Sequence, residues 1–198
     1  MVLLLLLSVF TPGHAAYYEV SANFWQNRQV YGASKDSSNL SQVYSTGVAW
    51  YVWQLTALEV MAQRQRNLIT ENDPVDTAGG DQVVSSRNEV VTDTFSLGIK
   101  QALASPKARI IPAVTMGYAK QILQGSTRYV VEQSGSVEQF TVEDDRRTQD
   151  SCFAGVSLRL RLTEFSGITG SYRSIMPNCD TDTISDNTQF STGLSWMF

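Results

Sequence analysis

Six ionisable side chains sit in segments that otherwise alternate apolar and small residues: Glu19, Glu59, Lys100, Arg159, Arg161 and Arg173. Each falls on the face opposite the apolar one, and all but Arg173 lie towards the same end of their segments. Acids and cations arranged this way have two uses: pairing that holds a structure shut, or the lining of a narrow ion path. An ion drawn into a low-dielectric interior costs several kcal/mol unless it is paired. A network of Glu59 with the arginines and lysine is therefore expected, and a structural plug is favoured over a gate.

Catalytic chemistry has little to work with. A Ser/His/acid arrangement needs a general base, most often histidine, and the sequence holds a single one, His14. The acidic run VEDDRR at 142–147 reads as a solvated loop rather than a carboxylate site. No nucleophile–base pair stands out, so the chain is expected not to be an enzyme and to need no cofactor. Cys152 and Cys179, with no histidine beside them, are too few to hold a metal. If Leu162 pairs with Ile168 across a short turn, Cys152 falls opposite Asn178, one residue from Cys179, and a disulfide is expected there in an oxidising compartment.

The first sixteen residues, MVLLLLLSVFTPGHAA, are an apolar run followed by small residues, with Gly13 and Ala15 placed as before a signal-peptide cut. No Lys or Arg precedes the run, which departs from the usual pattern. Pro12 and Gly13 cut the run short of the roughly 20 apolar residues of a membrane helix. Residues 1–16 are expected to be a cleaved signal peptide that removes His14, leaving one domain over 17–198. Charged residues make up 17% of the 198-residue chain and the net charge is -4, which argues against a nucleic-acid partner.

The elements that must position these groups show as period-2 alternation. Phe190, Thr192, Leu194, Trp196 and Phe198 face one way, against Ser191, Gly193, Ser195 and Met197. Ala154, Val156, Leu158, Leu160 and Leu162 likewise oppose Gly155, Ser157, Arg159 and Arg161. Eight strands are expected, at 17–31, 43–54, 57–68, 89–103, 108–121, 151–163, 167–176 and 187–198. Short connections near Leu55–Thr56, Ser105–Pro106 and Glu164–Ser166 alternate with polar stretches at 33–42, 69–88, 122–150 and 177–187. That rhythm is an antiparallel up-and-down meander.

Alternation alone does not say which face is inside. A soluble barrel hides its apolar face, whereas a membrane barrel turns it to lipid. Here the apolar faces lack charge, and small residues share the other face with the ions, as a narrow lumen demands. Each strand core supplies about the 9–11 residues that cross a bilayer at a tilt. Trp50, Trp53, Phe165, Trp196 and Phe198 lie near the short turns, and Tyr44, Tyr118 and Tyr172 towards the long loops, as in two aromatic girdles.

With Ser191, Gly193, Trp196 and a final Phe198, the last strand resembles the assembly signal of bacterial outer-membrane barrels. Together with the leader and four hairpins, nearly the whole mature chain resembles the small OmpA/OmpX-type family. The resemblance implies an all-β, eight-stranded transmembrane barrel in the bacterial outer membrane, in contact with its lipid and lipopolysaccharide. It also implies recognition by the barrel-assembly machinery and four polar loops available to an extracellular partner. A structural scaffold is the leading expectation, and a narrow channel for ions or small apolar solutes the alternative. Lipid A-modifying barrels exist, but those depend on a histidine, which the mature chain is expected to lack. Two details are open: Pro112, expected to force a bulge, and STRYVVEQSGSVEQFTVEDD, expected to form a hairpin outside the barrel rather than two more membrane strands.

Overall fold

The structure, a computed structural model, describes residues 17–32, 37–72, 75–76, 82–133, 136–180 and 188–198. The expected signal peptide lies outside the described residues. Alternating segments form eight long antiparallel strands: β1 (Tyr17–Tyr31), β2 (Ser37–Tyr51), β3 (Thr56–Glu71), β5 (Gln82–Ala102), β6 (Ile110–Gln133), β8 (Arg147–Arg161), β9 (Ser166–Pro177) and β10 (Thr188–Met197). Two shorter strands, β4 (Val75–Asp76) and β7 (Ser136–Glu143), flank them.

Each long strand pairs with its neighbours in sequence, and β1 pairs with β10, so the sheet closes into an eight-stranded barrel. Val20 faces Trp196 across this seam, and Tyr18 and Phe198 exchange two backbone hydrogen bonds of 3.0 and 2.9 Å. Closure leaves the ring no open edge, the condition for crossing a layer that cannot hydrogen-bond the backbone. Gly193 makes a close approach possible here, because a Cβ on it would lie 2.6 Å from the Asn23 Cα on β1.

The apolar face points outward. Leu97 and Met116 are 60% and 61% exposed, and Val60, Phe95, Val156 and Leu158 are exposed beside them. On β6 the outward positions run Ile110, Pro112, Val114, Met116 and Tyr118 before reaching Lys120. That is about 26 Å of strand, or about 20 Å of height at a 40° tilt, close to the apolar band of membrane barrels. Trp53, Phe165 and Phe198 lie exposed at the short-turn rim, and Tyr44, Tyr118 and Tyr172 at the opposite edge. Just beyond that edge, outward charges begin with the Arg64–Asp93 pair.

Most strands run further into the polar stretches than expected. β2 starts at Ser37, β5 at Gln82 and β8 at Arg147, while β6 continues to Gln133. The extensions continue a ladder already seeded below them, and most of their residues are half-buried. β6 and β7 form the expected hairpin, from Ser126↔Glu143 to Gln133↔Ser136. β7 pairs with β6 alone and is exposed throughout, so the hairpin stands outside the ring.

The bulge expected at Pro112 does not occur. Pro112 faces Leu158 in register, and its carbonyl accepts from the Leu103 N–H at 2.8 Å. A strand residue points its N–H and C=O the same way, so the missing donor faces the end of β5, where pairing stops in any case. The expected β8–β9 register is also corrected. Leu160, not Leu162, faces Ile168, because Leu162–Phe165 are spent on the turn. The Thr163 hydroxyl holds that turn by accepting from the Phe165 and Ser166 N–H groups.

Candidate functional site

The lumen is layered. At the short-turn end, Ala49, Tyr51, Ala57, Ala102 and Ile111 form a buried apolar cluster with Tyr17 against it. The Tyr17 and Tyr51 rings stack 4.1 Å apart. These residues all occupy inward positions on strands that converge at the short turns, where large side chains meet across the axis.

Above this layer lie the ions. Glu19, 2% exposed, accepts from Lys100 Nζ at 2.8 Å and from the Tyr51 hydroxyl at 2.9 Å. Lys100 also stands 3.9 Å from Glu59, whose other oxygen accepts from Arg173 at 2.9 Å. Glu19, Lys100, Glu59 and Arg173 thus form one chain of alternating charge across the lumen. Arg159, 4% exposed, donates to the Ser195 hydroxyl at 2.8 Å and touches the Met197 sulfur. Arg161 is half-buried and joins none of the ion pairs found among the described residues.

Arg173 is placed by a bed of small residues. Gly98, Gly117 and Phe153 face one another across β5, β6 and β8. A Cβ on Gly98 would stand 2.7 Å from the Phe153 ring and one on Gly117 2.9 Å, so only glycine lets the ring lie down there. The Arg173 guanidinium then sits 4.3 Å from the ring centre. A cation over an aromatic face in a poorly hydrated site gains about 1–2 kcal/mol, and the fixed guanidinium meets Glu59.

The voids at the ionic level measure about 50 and 10 Å³. A water needs about 10–15 Å³ of such space, so this level has room for no more than a few waters between the side chains. Towards the loops an amide layer follows. Gln63 donates to Gln189 at 2.7 Å, Gln189 to Gln65 at 2.6 Å, and Gln65 to Asn67 at 3.2 Å. Sequence reasoning missed this layer and the two tyrosines, although their inward parity on assigned strands was available as a signal.

Cys152 and Cys179 are joined in a disulfide with Cα atoms 4.7 Å apart. The route differs from the expected one, since Cys152 faces Met176 rather than Asn178. Asn178 and Cys179 then take left-handed conformations, φ 52° and 59°, which fold the chain back so that Cys179 reaches Cys152. Cys179 N–H donates to the Met176 carbonyl at 3.1 Å within that reversal.

Outside the band, Arg64 donates to both Asp93 oxygens at 2.7 and 2.8 Å, and Arg66 to both Glu89 oxygens at 2.7 and 3.0 Å. These bonds hold the Asp93 and Glu89 carboxyls below their ordinary range.

No known family profile and no curated protein matches the sequence. Solved structures do. The N-terminal β-barrel domain of Pseudomonas aeruginosa OprF aligns over 92% of this chain and 97% of its own, with 12% identity and a TM-score of 0.53. The outer membrane protein OprG from Pseudomonas aeruginosa aligns over 93% and 96%, with 6% identity and a TM-score of 0.56. The chain has the fold of the small outer-membrane barrels. Within that eight-stranded transmembrane fold, the outward apolar band and the inward ions take the places that lipid and a narrow lumen require.

Proposed function

We propose that the chain is an integral protein of the bacterial outer membrane whose work is structural and interactive. On this reading the barrel displays its four polar loops to an extracellular partner and meets membrane lipid and lipopolysaccharide along its outer band. Residues 1–16 direct export and are removed. Ser191, Gly193, Trp196 and Phe198 present the last strand to the barrel-assembly machinery. Catalysis, cofactors and nucleic acid form no part of the proposal.

The observation that carries it is the obstructed lumen: the apolar cluster around Tyr51 and Ile111 stacked beneath the Glu19–Lys100–Glu59–Arg173 chain. A path for ions needs water continuous along the axis, whereas here the apolar cluster stands across it and four of the ions pair with one another. The test is single-channel current across a planar bilayer holding the refolded barrel, with Glu59→Gln in parallel. A silent bilayer from folded protein is expected. Discrete openings whose selectivity changes with Glu59 would replace the plug with a channel.

A further inference from the structure

Above the amide layer, at the loop end of the barrel, lies a cavity of about 310 Å³. This is within the range of small-molecule sites. None of its described lining residues is ionisable. One wall carries Gln65 and Asn67 on β3, another Gln121 on β6 and Gln149 on β8, while Val90, Leu123 and Ile175 supply apolar surface between them.

The amide oxygens are largely spoken for. Gln65 Oε1 accepts from Gln189, Asn67 Oδ1 accepts from Gln65 and from Ser41 at 2.8 Å, and Gln121 Oε1 accepts from Ser151 at 2.9 Å. Ser151 is itself fully buried, which fixes the Gln121 amide. Among the described residues no acceptor is found for the amide nitrogens of Asn67 and Gln121, on strands separated by β5. Thr92 and Thr188 add hydroxyls able to give or accept.

We propose that this cavity binds an uncharged polyhydroxylated molecule of monosaccharide size, entering from the loop side. The ligand's hydroxyl oxygens accept from Asn67 and Gln121, and its C–H face packs on Val90, Leu123 and Ile175. Among the described residues an ion would find no countercharge, and a hydrocarbon would leave the amides unpaired; both cost free energy that a neutral polyol avoids. The inference rests on the proposed closure of the inner end, which makes the cavity a pocket instead of a stage in a passage.

The test is calorimetric titration of the full barrel in lipid nanodiscs, free of glycosidic detergent, with D-glucose, myo-inositol and D-glucuronate. Saturable binding of a neutral probe is expected, with no saturation by D-glucuronate. Gln121→Leu should weaken it about tenfold, the scale of a lost hydrogen bond in a partly enclosed site. Asn67→Leu should do the same if Gln121→Leu does not fold. Failure of both neutral probes to saturate, equal binding of D-glucuronate, or unchanged affinity in a folded variant overturns the proposal. Liposome swelling with D-glucose reads the closure separately: passage of the sugar would refute the closed inner end even where the titration saturates.

Discussion

The Arg173 guanidinium lies 4.3 Å from the centre of the Phe153 ring while reaching 2.9 Å to Glu59. One aromatic ring thus sets the geometry of an ion pair that links strands on different sides of the lumen. The ring in turn depends on two glycines. Gly117→Ala should press on the β5 backbone at Leu97 and Gly98 and lift Phe153 from its bed, destabilising the barrel by about 1–3 kcal/mol, an overpacking cost. Urea unfolding in lipid vesicles would measure it, and Gly117→Ala combined with Phe153→Leu should recover part of the loss. Full additivity of the two changes would show that ring and glycine are not coupled.

Glu59 is shared by Lys100 and Arg173, whereas Lys100 keeps Glu19 in reserve. Removing Glu59 therefore strands Arg173 first. Glu59→Ala should cost about 3 kcal/mol, as expected for breaking a buried pair from one side. Glu59→Gln retains an acceptor and should cost less. Equilibrium unfolding of both variants beside the wild type would check the order, and a greater loss in Glu59→Gln would contradict it.

The disulfide spans 27 residues of sequence. Chain-entropy arguments give a crosslink of that length about 3.5 kcal/mol. Reduction, or Cys152→Ala with Cys179→Ala, should lower unfolding stability by up to that amount. Local hydrogen exchange around Met176–Asp180 should rise, since a left-handed Cys179 is held at a cost of about 1–2 kcal/mol. Unchanged protection there would mean that the backbone bonds alone keep the reversal.

Asp93 and Glu89 are held below their ordinary carboxylate range, first by hydrogen bonds from Arg64 and Arg66 respectively. Because the folded-state values are depressed, their stabilising effect is complete above the unfolded-state values. It is lost as the pH falls through the folded-state ones. Both pairs should thus persist at pH 5 and open only under stronger acid. Carboxyl chemical-shift titration would show it, with Arg64→Gln moving the Asp93 midpoint upward. A midpoint indifferent to Arg64 would assign the shift to another cause.

Ring size and facing were legible because each strand core alternates cleanly: Leu97 against Gly98, Val156 against Ser157, Leu194 against Ser195. A half-lipid, half-lumen environment imposes that period on every rung. The strand ends were not legible, since Gln82–Glu89 and Ile122–Gln133 mix polar and apolar residues on both faces and pairing there follows from the ladder beneath. Inward position also told which ions face the lumen without telling which partners they choose. The Arg173–Phe153 contact depends on the sideways reach of long side chains, and Cys179 reached Cys152 by a reversal that alternation does not encode. Arg161 shares the inward parity of Arg159 yet sits two residues nearer the turn, where the rim leaves it half-exposed.

β6 is paired with β5 from Gln82↔Glu132 to Ala102↔Ala113, with one register shift between Val83 and Ser85, and with β8 from Leu123↔Arg147 to Ile110↔Leu160. Its far end carries the β6–β7 hairpin. A pull applied to that hairpin along the strand loads both ladders in shear, so that many hydrogen bonds must yield together. A pull across the strand would unzip them one by one. The hairpin is therefore a mechanically strong point of attachment along its strand direction and a weak one across it.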